Sequence, residues 1–195
     1  MSTRRPPLRP GTPAVPGEPG LWLLILLDMT VFAVFFAAAL AIRADQSEMY
    51  GAASAALHPE IGAANTVLLL TASVFVALGT RTAREGAYVV SARFLTWALA
   101  CGLAFCAGKV YEWAELLDRG LTPSTNDFFS LYYMVTGMHL VHVLIGLGAL
   151  CVMRAWLLRA NGRETSLRLV DGGGCYWHMV DLLWLVIFPI LYLLG

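Results

Sequence analysis

The segment Gly174–Leu194 reads GCYWHMVDLLWLVIFPILYLL, and it decides the fold of this chain. It is long enough to cross a membrane, since a helix needs about 20 apolar residues for a hydrocarbon core of about 30 Å. Within it, His178 and Asp181 are three residues apart and share one face of a helix. Ionisable groups at membrane depth are costly, so they indicate a functional site or a contact with a partner. The segment therefore predicts a transmembrane helix that carries a polar pair.

The composition of the whole chain agrees with a membrane protein. Of its 195 residues, 58% are hydrophobic and 13% are charged, whereas soluble domains carry about 25% charged residues. The net charge is zero, so no basic surface points to nucleic acid. The chain lacks the alternation of a β-barrel. We predict an all-α integral membrane protein, a bundle of five transmembrane helices over residues 21–42, 61–80, 94–113, 128–153 and 174–194.

The distribution of arginines along the chain predicts the orientation of the bundle in the membrane. Arg43 and Arg119 lie on one side of the predicted membrane, and Lys109 lies within a span. Ten arginines lie on the other side: Arg4, Arg5, Arg9, Arg81, Arg84, Arg93, Arg154, Arg159, Arg163 and Arg168. Because cytoplasmic loops carry the excess of basic residues, we expect a cytoplasmic N-terminus and a C-terminus outside.

Residues 1–19 are rich in proline and arginine, and they predict a disordered cytoplasmic tail before a transmembrane domain at 20–195. The alternative is a cleaved signal peptide. That alternative fits less well, because the apolar run exceeds the usual 7–15 residues and contains Asp28.

Several ionisable residues fall in the predicted cytoplasmic half of the spans. Asp28 must be protonated or partnered there. Two roles fit this carboxyl group: proton handling or a subunit contact on the one hand, and an internal hydrogen bond within the bundle on the other. His139 and His142 share one face of the fourth span, with His139 near the bilayer centre. We hypothesise that Asp28, His142, His178 and Asp181 form one polar cluster.

Metal binding is the alternative for the histidines. A bis-histidine haem needs facing histidines, and a di-iron bundle needs Glu-x-x-His pairs on two helices. The acid at Asp181 follows His178 instead, so interhelical hydrogen bonds are favoured over a metal or haem. The cysteines show no zinc-site spacing, and we expect them to be small buried apolar residues. They are Cys101, Cys106, Cys151 and Cys175.

Lys109 and Glu112 lie three residues apart near the outer end of the third span. They can form an ion pair, and Lys109 can also extend outward as a helix-end anchor. Asn65, Thr66, Thr71 and Ser73 are typical of helix-packing contacts. Aromatic residues near the predicted interfaces, Tyr132 and Tyr192 among them, fit an aromatic belt.

No nucleophile elbow, phosphate loop or H-E-x-x-H motif is present in the sequence. The residues alone leave three classes open. These are an accessory subunit, a stand-alone small proton channel or transporter using Asp28, Lys109 and the histidines, and a membrane haem protein.

Five motifs in order resemble subunit III of the haem–copper oxidase superfamily, the cytochrome c oxidase subunit III family. They are Leu21–Asp28 with its trailing phenylalanines, Asn65–Ser73, Lys109–Trp113, Phe128–Gly146 with T-G-x-H-x-x-H, and Tyr176–Trp184 with Y-W-H-x-V-D-x-x-W. Many family members have seven spans, whereas this chain resembles the form that lacks the first two. An aspartate at position 28 and the ending Phe188–Tyr192 resemble the NorE-like branch, which is associated with nitric oxide reductases.

The resemblance implies a non-catalytic accessory subunit of a respiratory haem–copper oxidase in a bacterial inner membrane. In the family, the haem and copper lie in the catalytic subunit I, and subunit III supports proton uptake and the stability of the complex. No cofactor is then expected in this chain, although bound phospholipid is consistent with the family. Asp28 would face subunit I or lipid. By the same resemblance, five further residues would be structural polar contacts of the bundle: Glu112, His139, His142, His178 and Asp181. A nitric oxide reductase remains the alternative partner.

Overall fold

The computed structural model describes residues 19–159 and 164–194, and every regular element within these ranges is helical. The disordered tail expected before residue 19 lies outside the described residues. The elements are α1 (Pro19–Asp45), α2 (Ser47–Ser54), α3 (Pro59–Arg84), α4 (Tyr88–Asp118), α5 (Asp127–Arg159), α6 (Glu164–Phe188) and a π-helical turn (Pro189–Leu193).

Five of these helices are long and apolar enough to cross a membrane, as the sequence predicts. The candidate spans are Trp22–Asp45, Pro59–Arg84, Tyr88–Asp118, Asp127–Arg159 and Leu167–Leu193. The predicted bounds were too short, most clearly for 94–113 and 174–194. An apolar pattern marks only the part of a helix within hydrocarbon, whereas the backbone continues helical through the polar interface.

The helices differ in how deeply they pack. In α6, 56% of the most apolar stretch is buried inside the protein, against 11% in α1. Trp177 and Trp184 of α6 are fully buried. By contrast, α1 contributes mainly Ile25, Phe32 and Ala39 to the core. The core therefore surrounds α6, and α1 packs on its outside against α5 and α6.

Glycines allow two sharp helix ends. Gly86 follows α3 with a φ of 81°, and Gly120 follows α4 with a φ of 76°. After α4, the Leu121 amide donates to the carbonyl of Leu116, and the Gly120 amide donates to Leu117. This is a Schellman motif, in which glycine takes the left-handed position. It reverses the chain within a few residues, so neighbouring spans run antiparallel.

The short helix α2 was not expected from the sequence. It carries Tyr50, which is fully buried and donates its hydroxyl proton to the carbonyl of Ile190 at 2.7 Å. Burial raises the pKa of the Tyr50 phenol, and Arg43 partly opposes this shift. The phenol therefore stays protonated and joins α2 to the π-helical turn. We call this end of the bundle the α2 end.

The four cysteines are free thiols. Cys101, Cys106 and Cys175 are half-buried, whereas Cys151 is exposed. The prediction that all four are buried was therefore wrong for Cys151, which lies on an outward face of α5.

Candidate functional site

A buried ion pair lies inside the bundle toward the α2 end. Lys109 and Glu112 have side chains that are 1% and 0% exposed, and Lys109 Nζ lies 2.7 Å from Glu112 Oε2. Lys109 Nζ also donates to the hydroxyls of Tyr132 at 3.0 Å and Tyr192 at 2.9 Å. Lys109 therefore does not extend outward, because its ammonium group finds three oxygens within the protein.

Tyr192 completes this network from the far end of the chain. Its hydroxyl lies 2.8 and 2.9 Å from the two carboxylate oxygens of Glu112, so it accepts from Lys109 and donates to Glu112. The rings of Tyr132, Trp184 and Tyr192 lie 4.9, 5.3 and 5.6 Å from the ammonium nitrogen. Such cation–π contacts favour the charged form of a desolvated lysine. The network connects α4, α5, α6 and the π-helical turn.

The assignment of Tyr132 and Tyr192 to an aromatic belt was wrong. Both rings are buried in the network rather than placed at the surface of the protein. The sequence contained one signal that points to them. A lysine and a glutamate inside an apolar span need further polar partners, and tyrosine supplies a hydroxyl on an apolar ring.

His139 lies next to this network and makes ring contacts. It is fully buried, with its ring centre 5.2 Å from that of Trp184 and 5.8 Å from that of Phe105. Neither ring nitrogen has a hydrogen-bond partner among the described residues. The expected interhelical hydrogen bond of His139 is therefore not formed, and stacking holds its imidazole.

Asn65 of α3 is buried against Gly108 of α4. A Cβ atom on Gly108 would lie 2.6 Å from Asn65 Oδ1, so any larger residue at position 108 would force the Asn65 amide to move. At the next position, the Thr66 hydroxyl accepts the indole proton of Trp184 at 3.0 Å. These contacts agree with the packing role that the sequence suggests for the polar residues of α3.

A second polar pair joins α1 to α5. His142 Nε2 lies 3.3 Å from Asp28 Oδ2, and the two side chains are 14% and 20% exposed. His142 Nδ1 lies 2.8 Å from the carbonyl oxygen of Met138, to which it donates. The pair therefore places a carboxyl group and an imidazole at ion-pair distance at the edge of the protein. Phe32 packs on the imidazole with ring centres 5.5 Å apart.

A third polar group lies between α3 and α6. His178 Nδ1 is 2.6 Å from Ser73 Oγ, and Asp181 interacts with both residues. Ser73 was expected only as a packing residue, and the structure places it in this group.

The structure divides the hypothesised four-residue cluster into two groups. Asp28 pairs with His142, whereas His178 and Asp181 face Ser73. Tyr176 lies on the Asp28 side of α6, because its hydroxyl reaches the carbonyl of His142 at 3.5 Å. Two residues along a helix turn the side chain by about 200°. His178 therefore points to the other side of α6 from Asp28.

The described residues contain no group of three or more His, Cys, Asp or Glu side chains that could hold a metal ion. Their ionisable groups instead connect pairs of helices. The chemistry available to such groups is hydrogen bonding, ion pairing and proton holding.

Comparison with known proteins covers nearly all of the chain. Residues 20–195 match the family model described as cytochrome c oxidase subunit III. Cytochrome c oxidase subunit 3 of Synechocystis sp. is 30% identical over 177 residues, which are 90% of this chain and 74% of that protein. Cytochrome bo(3) ubiquinol oxidase subunit 3 of Buchnera aphidicola is 27% identical over 183 residues, covering 90% of this chain and 85% of that protein.

A third relative is much longer than this chain. The haem–copper oxidase subunit I+III of Aeropyrum pernix is 28% identical over 180 residues, which are 89% of this chain but 22% of that protein. The family match over residues 20–195 includes all the polar groups described above. This chain belongs to the cytochrome c oxidase subunit III family.

Proposed function

We propose that this chain is a non-catalytic accessory subunit of a respiratory haem–copper oxidase in a bacterial inner membrane, packed against the catalytic subunit I. The observation that carries this proposal is the family match over residues 20–195, the whole transmembrane domain. The name of the Aeropyrum pernix relative, subunit I+III, supports the pairing, because it describes both subunits in one protein.

In this proposal, haem and copper belong to subunit I, and this chain supplies polar contacts, lipid-facing surface and a stable bundle. The buried network around Lys109 supports a structural role, since its charges are satisfied inside the chain. The partly exposed pair of Asp28 and His142 supports a role near proton uptake, because it places a carboxyl group and an imidazole at the edge of the protein. Phospholipid is a further proposed ligand of the apolar outer surface.

A nitric oxide reductase is the second candidate partner. It is favoured by the aspartate at position 28 and by the ending Phe188–Tyr192, which resemble the NorE-like branch. Oxygen consumption and nitric oxide consumption, measured on the same purified complex, separate the two candidates.

We further propose that the end of the bundle opposite to the α2 end is cytoplasmic. The fold brings the arginines at the end of α3, the start of α4 and the end of α5 to this end, whereas Arg43 and Arg119 lie at the α2 end. A reporter fused to the C-terminus should be active only outside the cytoplasm. Activity of that reporter inside would contradict the orientation.

Deletion of this chain tests the proposed function. We expect the remaining complex to keep its haem but to lose turnover faster during catalysis, and the wild-type chain should restore durability. Haem absorbance and the time course of oxygen or nitric oxide consumption measure the two effects. Unchanged turnover and durability after deletion would contradict an accessory role.

A further inference from the structure

His178 is an exposed ionisable residue at membrane depth. It lies about 16 Å along α6 from Leu167, where the candidate span begins, and about 6 Å beyond Gly174, where the apolar segment begins, at about 1.5 Å per residue. The other ionisable residues predicted within the spans are buried or half-buried. These are Asp28, Lys109, Glu112, His139, His142 and Asp181. Of these seven residues, His178 is the one whose side chain is exposed. It therefore needs a contact from another molecule to shield it from the hydrocarbon.

The hydrogen bonds of this region are incomplete. His178 Nδ1 uses the hydroxyl of Ser73, and Nε2 has no hydrogen-bond partner among the described residues. Whichever way the Ser73 proton points, Nε2 remains a donor or an acceptor. Asp181 Oδ1 is buried and also lacks a partner in the described part of the chain. A polar group left unsatisfied in hydrocarbon costs several kcal/mol.

The surroundings of these atoms are apolar and open. Leu70 of α3 and Leu182 and Leu185 of α6 are exposed beside them. We define the His178 face as Leu70, Ser73, His178, Asp181 and Leu182. Its polar centre within an apolar surround is typical of a contact between transmembrane helices, where polar side chains bond across the interface.

The opposite side of the bundle has a different character. The outward residues of α1 include Leu23, Leu26, Leu27 and Val34, all exposed and all apolar. Such a surface is compatible with lipid chains, so it requires no protein. The two surfaces therefore differ in what can cover them.

We propose that the His178 face is the surface on which the catalytic subunit docks, through a transmembrane helix that offers a hydrogen-bonding side chain to His178 Nε2. This inference rests on the proposed function and adds the location and chemistry of the contact. The partner helix is apolar except for a donor such as a hydroxyl, amide or guanidinium at this depth.

Photo-crosslinking in the intact complex tests the location. A photoreactive residue replaces Leu182, which is 50% exposed on the His178 face, and the matched control replaces Leu103, which is 59% exposed on α4. We expect an adduct of this chain with the catalytic subunit from position 182 and about tenfold less from position 103. Adducts from position 103 alone, or from position 182 only with lipid or with a second copy of this chain, would overturn the proposal.

Two substitutions test the chemistry. His178→Leu should lower the recovery of the catalytic subunit by several-fold to about tenfold, the loss of one interfacial hydrogen bond. His178→Gln keeps a hydrogen-bond donor and an acceptor, so it should retain most of the recovery of the catalytic subunit. Leucine also removes the bond to Ser73, so unfolding in detergent is measured for both variants, and a loss of recovery with wild-type unfolding assigns the effect to docking. Equal recovery with leucine would overturn the proposal. If the wild type recovers no haem–copper subunit at all, the proposed function itself fails.

Discussion

At the scale of single residues, the Lys109–Glu112 pair shows how a membrane bundle accommodates full charges. Both groups are fully buried, and the hydroxyls of Tyr132 and Tyr192 fill the remaining hydrogen-bonding positions. A buried ion pair adds little to the free energy of unfolding compared with well-packed apolar residues at the same positions. The loss of one partner, however, leaves an uncompensated charge in the core. The integrity of the network therefore matters more than its net energy.

Lys109→Met should destabilise the isolated chain by about 3–5 kcal/mol, because Glu112 stays buried without its counter-ion. The double variant Lys109→Met with Glu112→Leu should recover part of this loss. Denaturant unfolding in detergent measures both variants. Tyr111→Phe is the control, since Tyr111 is exposed on the same helix. Wild-type stability of the single variant would contradict the network.

Asp28→Ala should leave the haem content of the complex nearly unchanged while lowering turnover or its durability. The physical reason is that Asp28 faces His142 at ion-pair distance at the edge of the protein rather than in the core. Haem absorbance and the inactivation rate during turnover are the measurements. Thr30→Ala is the control, because the Thr30 hydroxyl bonds only within its own helix. Failure of all assembly would make Asp28 a structural residue.

Some contacts of the buried polar residues can be predicted from the sequence, and others cannot. The Lys109–Glu112 pair and the shared face of His178 and Asp181 follow from helical spacing alone. The partners of these groups come from other parts of the fold, and they depend on how each helix is rotated about its axis. They are Tyr132, Tyr192 and Ser73. Rotation about a helix axis is set by packing across the bundle, which no local spacing encodes.

At the scale of elements, close helix contacts depend on particular glycines. A Cβ atom on Gly102 of α4 would lie 2.7 Å from Leu147 and 2.9 Å from Trp177, both on neighbouring helices. Gly148 of α5 has no such neighbour within 4 Å. Glycine at position 102 therefore brings α4 close to α5 and α6, whereas position 148 has space for a side chain.

Gly102→Ala should destabilise the chain by about 1–3 kcal/mol, because the new methyl group overpacks a tight junction. Gly148→Ala should be neutral or slightly stabilising, since alanine favours helix more than glycine by about 1 kcal/mol. Thermal unfolding in detergent compares the two. Equal effects of the two substitutions would contradict the helix packing described here.

The elements themselves were predictable to different degrees. Five spans follow from apolar length, because hydrocarbon thickness sets a minimum number of residues. Helix α2 was missed, since only eight residues form it and its stability comes from tertiary contacts such as Tyr50 with Ile190. The helix ends were missed because charged residues continue a helix beyond the hydrocarbon.

At the scale of the whole molecule, the bundle has a strongly packed centre and an incomplete exterior. The core around α6 satisfies its charges internally, whereas the His178 face carries polar atoms without partners among the described residues. The spans are continuous α-helices as far as Phe188, and broken helices with paired half-repeats would support transport. These features fit a subunit whose exposed polar atoms gain hydrogen-bond partners when it assembles into a complex.

The most direct test of the central claim is mass spectrometry of the proteins that co-purify with the tagged wild-type chain in mild detergent. An accessory subunit should recover a large, many-span haem–copper catalytic subunit in constant ratio, and the identity of that subunit separates oxygen from nitric oxide chemistry. Reproducible recovery of this chain alone as a homo-oligomer would contradict the account and favour a stand-alone channel or transporter.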